Sequence, residues 1–441
     1  MSLRPLAGAT DNLSATSTWL FRRQGSRTWE RLGATDSRTD EGFFPVAVDP
    51  DRDIAWGFRR IDGRDALVAR ALDGTDAETP MVVREDVDVD GVVRIGRRGR
   101  VIGGSYATDR RVAVYFDPEM ARLRESLQKA LPPGTQISIL DSSVDERRLL
   151  VWAGRDDDAG VHYLLDRDSG EMRTLVVSRP ELEGLTLAKV ESIQYRAADG
   201  TMVPAYPTLP PSGPRSGLPA IVLPHGGPSA RDEWGFDWLS QYFAAKGYAV
   251  IQPNFRGSAG YGEAWLLQNG FRSWAVAVGD VLDAGRHLVR EGIADPAKLG
   301  IVGWSYGGYA ALQSAVVDPG LFRAVVAIAP VTDFEMLREE FRNFVTYRLR
   351  ADQIGSGPHI REGSPAQQAD RIVAPVLLFH GSLDRNVGVR QSQLMADRLR
   401  RAGRNVRLVT WDHLDHFLED SAARAQMLRE SDAFLKAAFT P

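Results

Sequence analysis

The sequence predicts an α/β chain in two parts. Residues 1–195 read as an all-β, propeller-like domain, and residues 196–441 as a parallel sheet covered by helices. Three observations carry this. A charged turn followed by an apolar strand recurs with Ile54, Val101 and Leu149 in equivalent places, a period of about 47 residues, the size of a four-stranded propeller blade. After the Pro/Gly/Ser run 207–217 the pattern changes to strands alternating with helices, which argues for parallel βαβ units. The pentapeptide Gly303-Trp-Ser-Tyr-Gly307 stands between a buried-strand run and a helical pattern, the setting a nucleophile elbow requires.

In the first domain the repeating segments are 51–58, 98–105 and 146–153, each followed by a second turn and strand at 66–72, 112–116 and 161–165. The stretch 118–131 breaks the pattern, because Met120, Leu123, Leu127 and Leu131 recur at helical spacing; an inserted helix is expected there. The domain has room for about four blades at this period. A ring that small or open would leave strand edges bare, so pairing with a second copy through those edges is an expected consequence.

In the second domain strands are expected at 220–223, 249–252, 299–302, 324–329, 376–379 and 406–410, with helices at 238–245, 281–290, 389–402 and 421–438. Sites in such sheets form beyond the carboxyl ends of the strands.

Composition narrows the chemistry. A net charge of −4 over 441 residues gives no case for nucleic acid or an anionic membrane as a partner. Apolar runs are only strand-length, so no membrane span is expected, and the start Met1-Ser-Leu-Arg-Pro lacks the apolar core of a signal peptide; a cytoplasmic protein is expected. The absence of cysteine excludes disulfides, thiolate metal sites and a cysteine nucleophile. No metal-ligand pattern is present, and the Gly-rich loop 254–262 has no Gly-Lys-Ser/Thr for a P-loop, so no cofactor is expected.

Ser305 is the candidate nucleophile, and the amide of Tyr306, at the helix start, the candidate first oxyanion donor. A serine hydroxyl needs a base. In this topology the acid and then the histidine follow the serine. Past Ser305, His359 lies in a polar loop ahead of a strand and His380 precedes the acid loop, which leaves His413 and His416 after the last strand. His416 is preferred, since the longer loop carries it back over the sheet. Asp384, shortly after the strand 376–379, is the preferred acid, and Asp333 the alternative. His225-Gly-Gly-Pro228 follows a strand, and the amide of Gly227 is the candidate second oxyanion donor. Arg256 is a candidate for a substrate carboxylate or for a structural ion pair. Trp304, Phe334, Phe341, Phe344 and Tyr347 are candidates for an apolar specificity pocket.

Together, His225-Gly-Gly-Pro, Asn254-Phe-Arg-Gly-Ser-Ala-Gly-Tyr-Gly, Gly303-Trp-Ser-Tyr-Gly-Gly-Tyr, Ala374-Pro-Val-Leu-Leu-Phe-His-Gly-Ser-Leu-Asp384 and Asp415-His416 resemble the prolyl oligopeptidase family, in its acylaminoacyl-peptidase and dipeptidyl-peptidase-like branch. The resemblance covers residues from about 200 to 441. It implies an α/β-hydrolase domain, a triad of Ser305, Asp384 and His416, an oxyanion hole from Gly227 and Tyr306, and a propeller that screens substrates by size. The chain departs from the family pattern in its smaller propeller, in Phe417 after His416, and in Gly388 where Asp-x-x-Val-Pro is common. Glu339-Glu340 lies outside the propeller, where the dipeptidyl-peptidase pair would be expected. The expectation is a serine peptidase on short peptides; an esterase on small acyl esters with the same triad is the alternative, and a catalytically idle binding protein the third reading.

Overall fold

The computed structural model describes residues 6–11, 15–23, 25–39, 41–96, 99–267 and 270–440. Its contacts divide into two units: residues up to Leu185 together with Gly260–Ala264, and Thr186–Ala259 together with Trp265 onward.

The first unit is a series of antiparallel sheets whose strands pair in chain order. Strands Leu6–Asp11, Thr16–Phe21, Glu30–Asp36 and Glu41–Gly42 make the first sheet, and Phe44–Asp49, Ile54–Ile61, Arg64–Ala71 and Glu78–Val82 the second. Val89–Ile95, Arg100–Ala107 and Arg111–Tyr115 make the third, and Gln136–Ser142, Arg148–Arg155, Asp158–Asp166 and Met172–Val177 the fourth. Ile54, Val101 and Leu149 all fall on the second strand of their sheets, so the 47-residue recurrence marks one sheet per repeat. Apolar clusters join successive sheets. Phe21, Leu32, Phe43 and Val68 pack together, Trp56, Leu67, Val89 and Val101 form the next cluster, and Ile102, Ile137 and Leu149 the third. This is the face-to-face packing of propeller blades.

The expected insertion is the helix Pro118–Ala130. The Asp117 carboxylate accepts from the amides of Glu119 and Met120 at 3.0 and 3.3 Å, and Pro118 sits where a missing N–H costs nothing. Met120 and Leu127 are its buried residues.

The second unit holds an eight-stranded sheet. In spatial order its strands are Ile193–Arg196, Met202–Thr208, Ala249–Pro253, Leu218–Val222, Ala294–Trp304, Ala324–Ile328, Val376–Gly381 and Val406–Trp411. The first two strands are antiparallel to their neighbours and the remainder are parallel. Side chains alternate between two cores, as a strand buried on both faces requires. Val325 and Ala327 point into one cluster, while Ala324, Val326 and Ile328 point into the other. Helices Trp238–Ala245 and Ser421–Phe439 contribute to the second cluster, and Trp274–Arg290 and Arg390–Arg401 to the first.

Two features differ from the sequence expectation. The units divide at Leu185/Thr186, ahead of residue 195, because the hairpin 193–208 pairs with strand Ala249–Pro253 of the α/β sheet. The run expected to be loop from 207 is still strand through Thr208. Among the described residues, no helix is long and apolar enough to cross a membrane.

Candidate active site

The elbow is built by backbone geometry. Strand Ala294–Trp304 ends at Ser305, whose φ and ψ are 59° and −119°, and the helix Tyr306–Val317 starts at the next residue. A non-glycine residue rarely takes positive φ, and the conformation persists only where its surroundings fix it. Here the Ser305 amide donates to the Ile328 carbonyl at 2.8 Å, and the Ser305 carbonyl accepts from Tyr309 at 3.0 Å. Gly307 is obligatory, since a Cβ there would collide with the carbonyl of Pro224. The helix is buried nearly throughout, and the Tyr306 hydroxyl donates to the Gly270 carbonyl at 2.8 Å. The serine is therefore held by a packed scaffold.

Asp384 follows strand Val376–Gly381. One carboxylate oxygen accepts from the amides of Asn386 and Val387 at 2.8 and 2.9 Å. The other lies 2.6 Å from His416 Nδ1 and 3.2 Å from His380 Nε2. Burial opposes ionisation of this carboxyl, but the hydrogen bonds from His380, His416 and Val387 outweigh it and hold it well below the usual carboxylate range. An ionised carboxylate only accepts, so His416 Nδ1 carries the proton and Nε2 of the neutral ring keeps its lone pair. His380 is fixed in the same way. Its Nε2 faces the Val387 carbonyl at 2.9 Å and must donate, which leaves Nδ1 to accept from Ser392 at 2.7 Å.

His416 is 7% exposed and His413 is exposed, so of the two loop histidines only His416 meets the acid. The Trp304 indole donates to the His416 carbonyl at 3.0 Å, and the Phe417 ring stands edge-on to the imidazole at 5.5 Å. Asp333 is engaged elsewhere: it caps the helix Phe334–Glu340 through Met336 N at 2.9 Å and accepts from Gln367.

The His225-Gly-Gly loop lies against the elbow. A Cβ on Gly226 would come 3.3 Å from the Trp304 carbonyl and 3.5 Å from Ser305 Cβ. Gly227 has φ of 124°, which only glycine adopts readily. His225 stacks on Phe255 at 4.3 Å and lies 2.7 Å from the Gly226 carbonyl and 2.8 Å from Ser258 Oγ. Burial pushes its pKa down to about 4, so it is a neutral brace. The far end of the loop is clamped by Asn254, which accepts from the Asp232 amide at 2.8 Å and donates to its carbonyl at 2.9 Å.

One oxygen of Asp232 is buried without a hydrogen-bond partner. Burial, helped by the neighbouring Asp237 and opposed by Gln252, raises this carboxyl to about 8. Between the unfolded carboxyl pKa of about 4 and that value, the folded chain holds a proton the unfolded chain has released. Stability is therefore expected to fall as pH rises from 5 to 8. Asp232→Asn is expected to flatten that slope; thermal unfolding of both proteins across this range checks it, and parallel curves would assign the slope to another group.

Ser305, His416, Gly227 and Tyr306 line one cavity of about 240 Å³. Its apolar wall includes Phe271, Val331, Leu337, Phe341, Ile354 and Val387, and its polar wall Arg350, Gln353 and Asn386. Of the expected pocket aromatics, Phe341 is in this wall. Phe334 is fully buried against Phe271 and Tyr309 at 5.3 and 5.0 Å, Phe344 is exposed, and Tyr347 opens the helix Tyr347–Ile354. None of these three is among the lining residues, nor is Trp304, which ties down the His416 loop instead. Arg256 is also displaced from the substrate role. Its guanidinium is bound to both Asp280 oxygens at 2.9 and 2.6 Å and to Asp199 at 2.5 Å, a structural ion pair. Among the described residues no cluster of potential metal ligands occurs.

The sequence profile of the prolyl oligopeptidase family matches residues 234–441. The match takes in most of the α/β unit. Dipeptidyl aminopeptidase BIII of Pseudoxanthomonas mexicana is 28% identical over 387 residues, 83% of this chain and 55% of that protein. Dipeptidyl peptidase family member 6 of Caenorhabditis elegans is 30% identical over 62% of this chain and 42% of its own length. A solved puromycin-hydrolyzing peptidase of Mycobacterium tuberculosis superposes with a TM-score of 0.79 at 22% identity, over 98% of this chain and 69% of that one. The chain thus spans about half the length of the curated relatives it matches, and its fold is that of the prolyl oligopeptidases, an all-β propeller unit and an α/β-hydrolase unit. The departure at Gly388 has a local reason: its amide donates to the half-buried Glu340 carboxyl group at 3.1 Å, a bond proline cannot make.

Proposed function

We propose that this protein is a serine peptidase that cleaves short peptides through an acyl-enzyme on Ser305. The observation that carries the reading is the 2.6 Å contact between His416 Nδ1 and Asp384, with His416 and Ser305 lining a common cavity. His416 Nε2 takes the Ser305 proton as Oγ attacks the substrate carbonyl carbon. The amides of Gly227 and Tyr306 receive the oxyanion. His416 then returns the proton to the departing amine, and a water activated by the same nitrogen hydrolyses the ester. The family relatives that are themselves named as peptidases support an amide substrate. Restriction to short peptides by the all-β unit is the part of the proposal that rests on the family resemblance.

The test compares chromogenic dipeptidyl amides, short-chain acyl esters and a full-length protein such as casein. Turnover of the amides with casein left intact is the expected result. Ester hydrolysis without amide hydrolysis would replace the peptidase reading with an esterase one.

A further inference from the structure

The helix Tyr347–Ile354 turns one face to the cavity beside Ser305. Arg350, Gln353 and Ile354 all line it, and their i, i+3, i+4 spacing puts them on the same side of a helix. Among the described residues that line the cavity, Arg350 brings the only permanent charge. Its guanidinium lies over the Phe341 ring at 5.6 Å and donates once, to Gln353 at 3.1 Å. Among the described residues no carboxylate stands within ion-pair distance of it. Arg256 and Arg338, half-buried in the same unit, are each matched by carboxylates, Arg256 by Asp280 and Asp199 and Arg338 by Glu335. An aromatic platform fixes the plane of a guanidinium and leaves its edge free for bidentate capture of a carboxylate.

We infer that this cavity selects an acidic side chain, and that Arg350 is the specificity-determining residue that binds it. The residue it reads is the one whose carbonyl Ser305 attacks, because the cavity begins at Ser305 and at the amides assigned to the oxyanion. The inference rests on the peptidase reading and narrows its substrates to peptides with glutamate or aspartate at that position. The apolar wall takes the methylene stem, Arg350 the carboxylate, and Gln353 holds the guanidinium in place.

Four dipeptidyl chromogenic amides that differ only in this residue, glutamate, glutamine, leucine or lysine, test it. The wild type is expected to prefer glutamate over glutamine in kcat/KM by about 10- to 100-fold, the range of a charge-assisted hydrogen bond converted to a ratio. Arg350→Gln should remove that preference, Arg350→Lys should restore part of it, and Arg350→Glu should favour lysine. Equal turnover of glutamate and leucine substrates, or a glutamate preference that survives Arg350→Gln, would overturn the inference. Calorimetric binding of the matching unlabelled peptides to Ser305→Ala reads the pocket without turnover. Tighter binding of the glutamate peptide, lost when Arg350→Gln is added, supports the inference even where hydrolysis fails, and equal binding overturns it whatever the enzyme hydrolyses.

Discussion

Ser305→Ala is expected to abolish labelling by a fluorophosphonate and to lower peptide turnover by about 10⁶-fold, the scale on which removing a triad nucleophile acts. The fold should be untouched. The Ser305 side chain makes no capping bond to its helix, and the bonds that hold the elbow are backbone ones, from Ser305 N to Ile328 and from Tyr309 to the Ser305 carbonyl. Alanine bears the same Cβ as serine, so the positive φ costs it no more. A melting temperature within about 2 °C of wild type is expected on that ground. Labelling that persists in the variant would place the nucleophile on another side chain. A folded wild type that does not label at all would remove the enzymatic reading altogether.

The elbow was legible because its signal is local and redundant. The strand run, the glycines at 303 and 307 and the helical pattern after Tyr306 each restrict the same few residues, and the collision a Cβ at Gly307 would make with Pro224 shows why the spacing admits nothing larger. The blades were legible through their period, yet the first sheet was not singled out: its strands carry polar and small residues, as in Leu6–Asp11, and a two-residue closing strand, Glu41–Gly42. The hairpin 193–208 was hidden because its second strand runs into the Pro/Gly/Ser stretch that begins at Pro207. Pro207 nevertheless faces Ile251 in the sheet register, and the Pro204 carbonyl accepts from Asn254 at 2.8 Å. Residues whose roles depend on distant partners were the least legible. Arg256 is claimed by Asp280 from a helix some two dozen positions on, and Trp304 by the His416 carbonyl more than a hundred positions on. The helix that brings Arg350 and Gln353 to the cavity has little apolar periodicity, with Ile354 its one buried residue, so nothing in its own pattern marks it as a pocket wall.

Asp384→Asn should lower kcat by about 10⁴-fold with the chain still folded, and the hydrogen bonds around the residue give the reason. The amides of Asn386 and Val387 both point at one oxygen, so an asparagine must keep its carbonyl there. Its NH₂ is then fixed on the side where the carboxylate now meets His416 Nδ1 and His380 Nε2. Two donors cannot share that contact. His416 would have to accept at Nδ1 and carry its proton on Nε2, the nitrogen assigned to take the Ser305 proton, and could not serve as base. His380 has no such freedom, because its Nε2 must also donate to Val387 at 2.9 Å, so a modest loss of stability should accompany the loss of turnover. The pH dependence carries an independent sign. A carboxyl whose pKa is depressed on folding stabilises the chain above its unfolded pKa of about 4, and that contribution is lost as pH falls through the folded value. The asparagine variant should therefore lose less stability than wild type on acidification below about pH 4. Activity retained within ten-fold of wild type would mean that His416 takes its orientation from some other group, and the Trp304 bond to its carbonyl would be the first place to look.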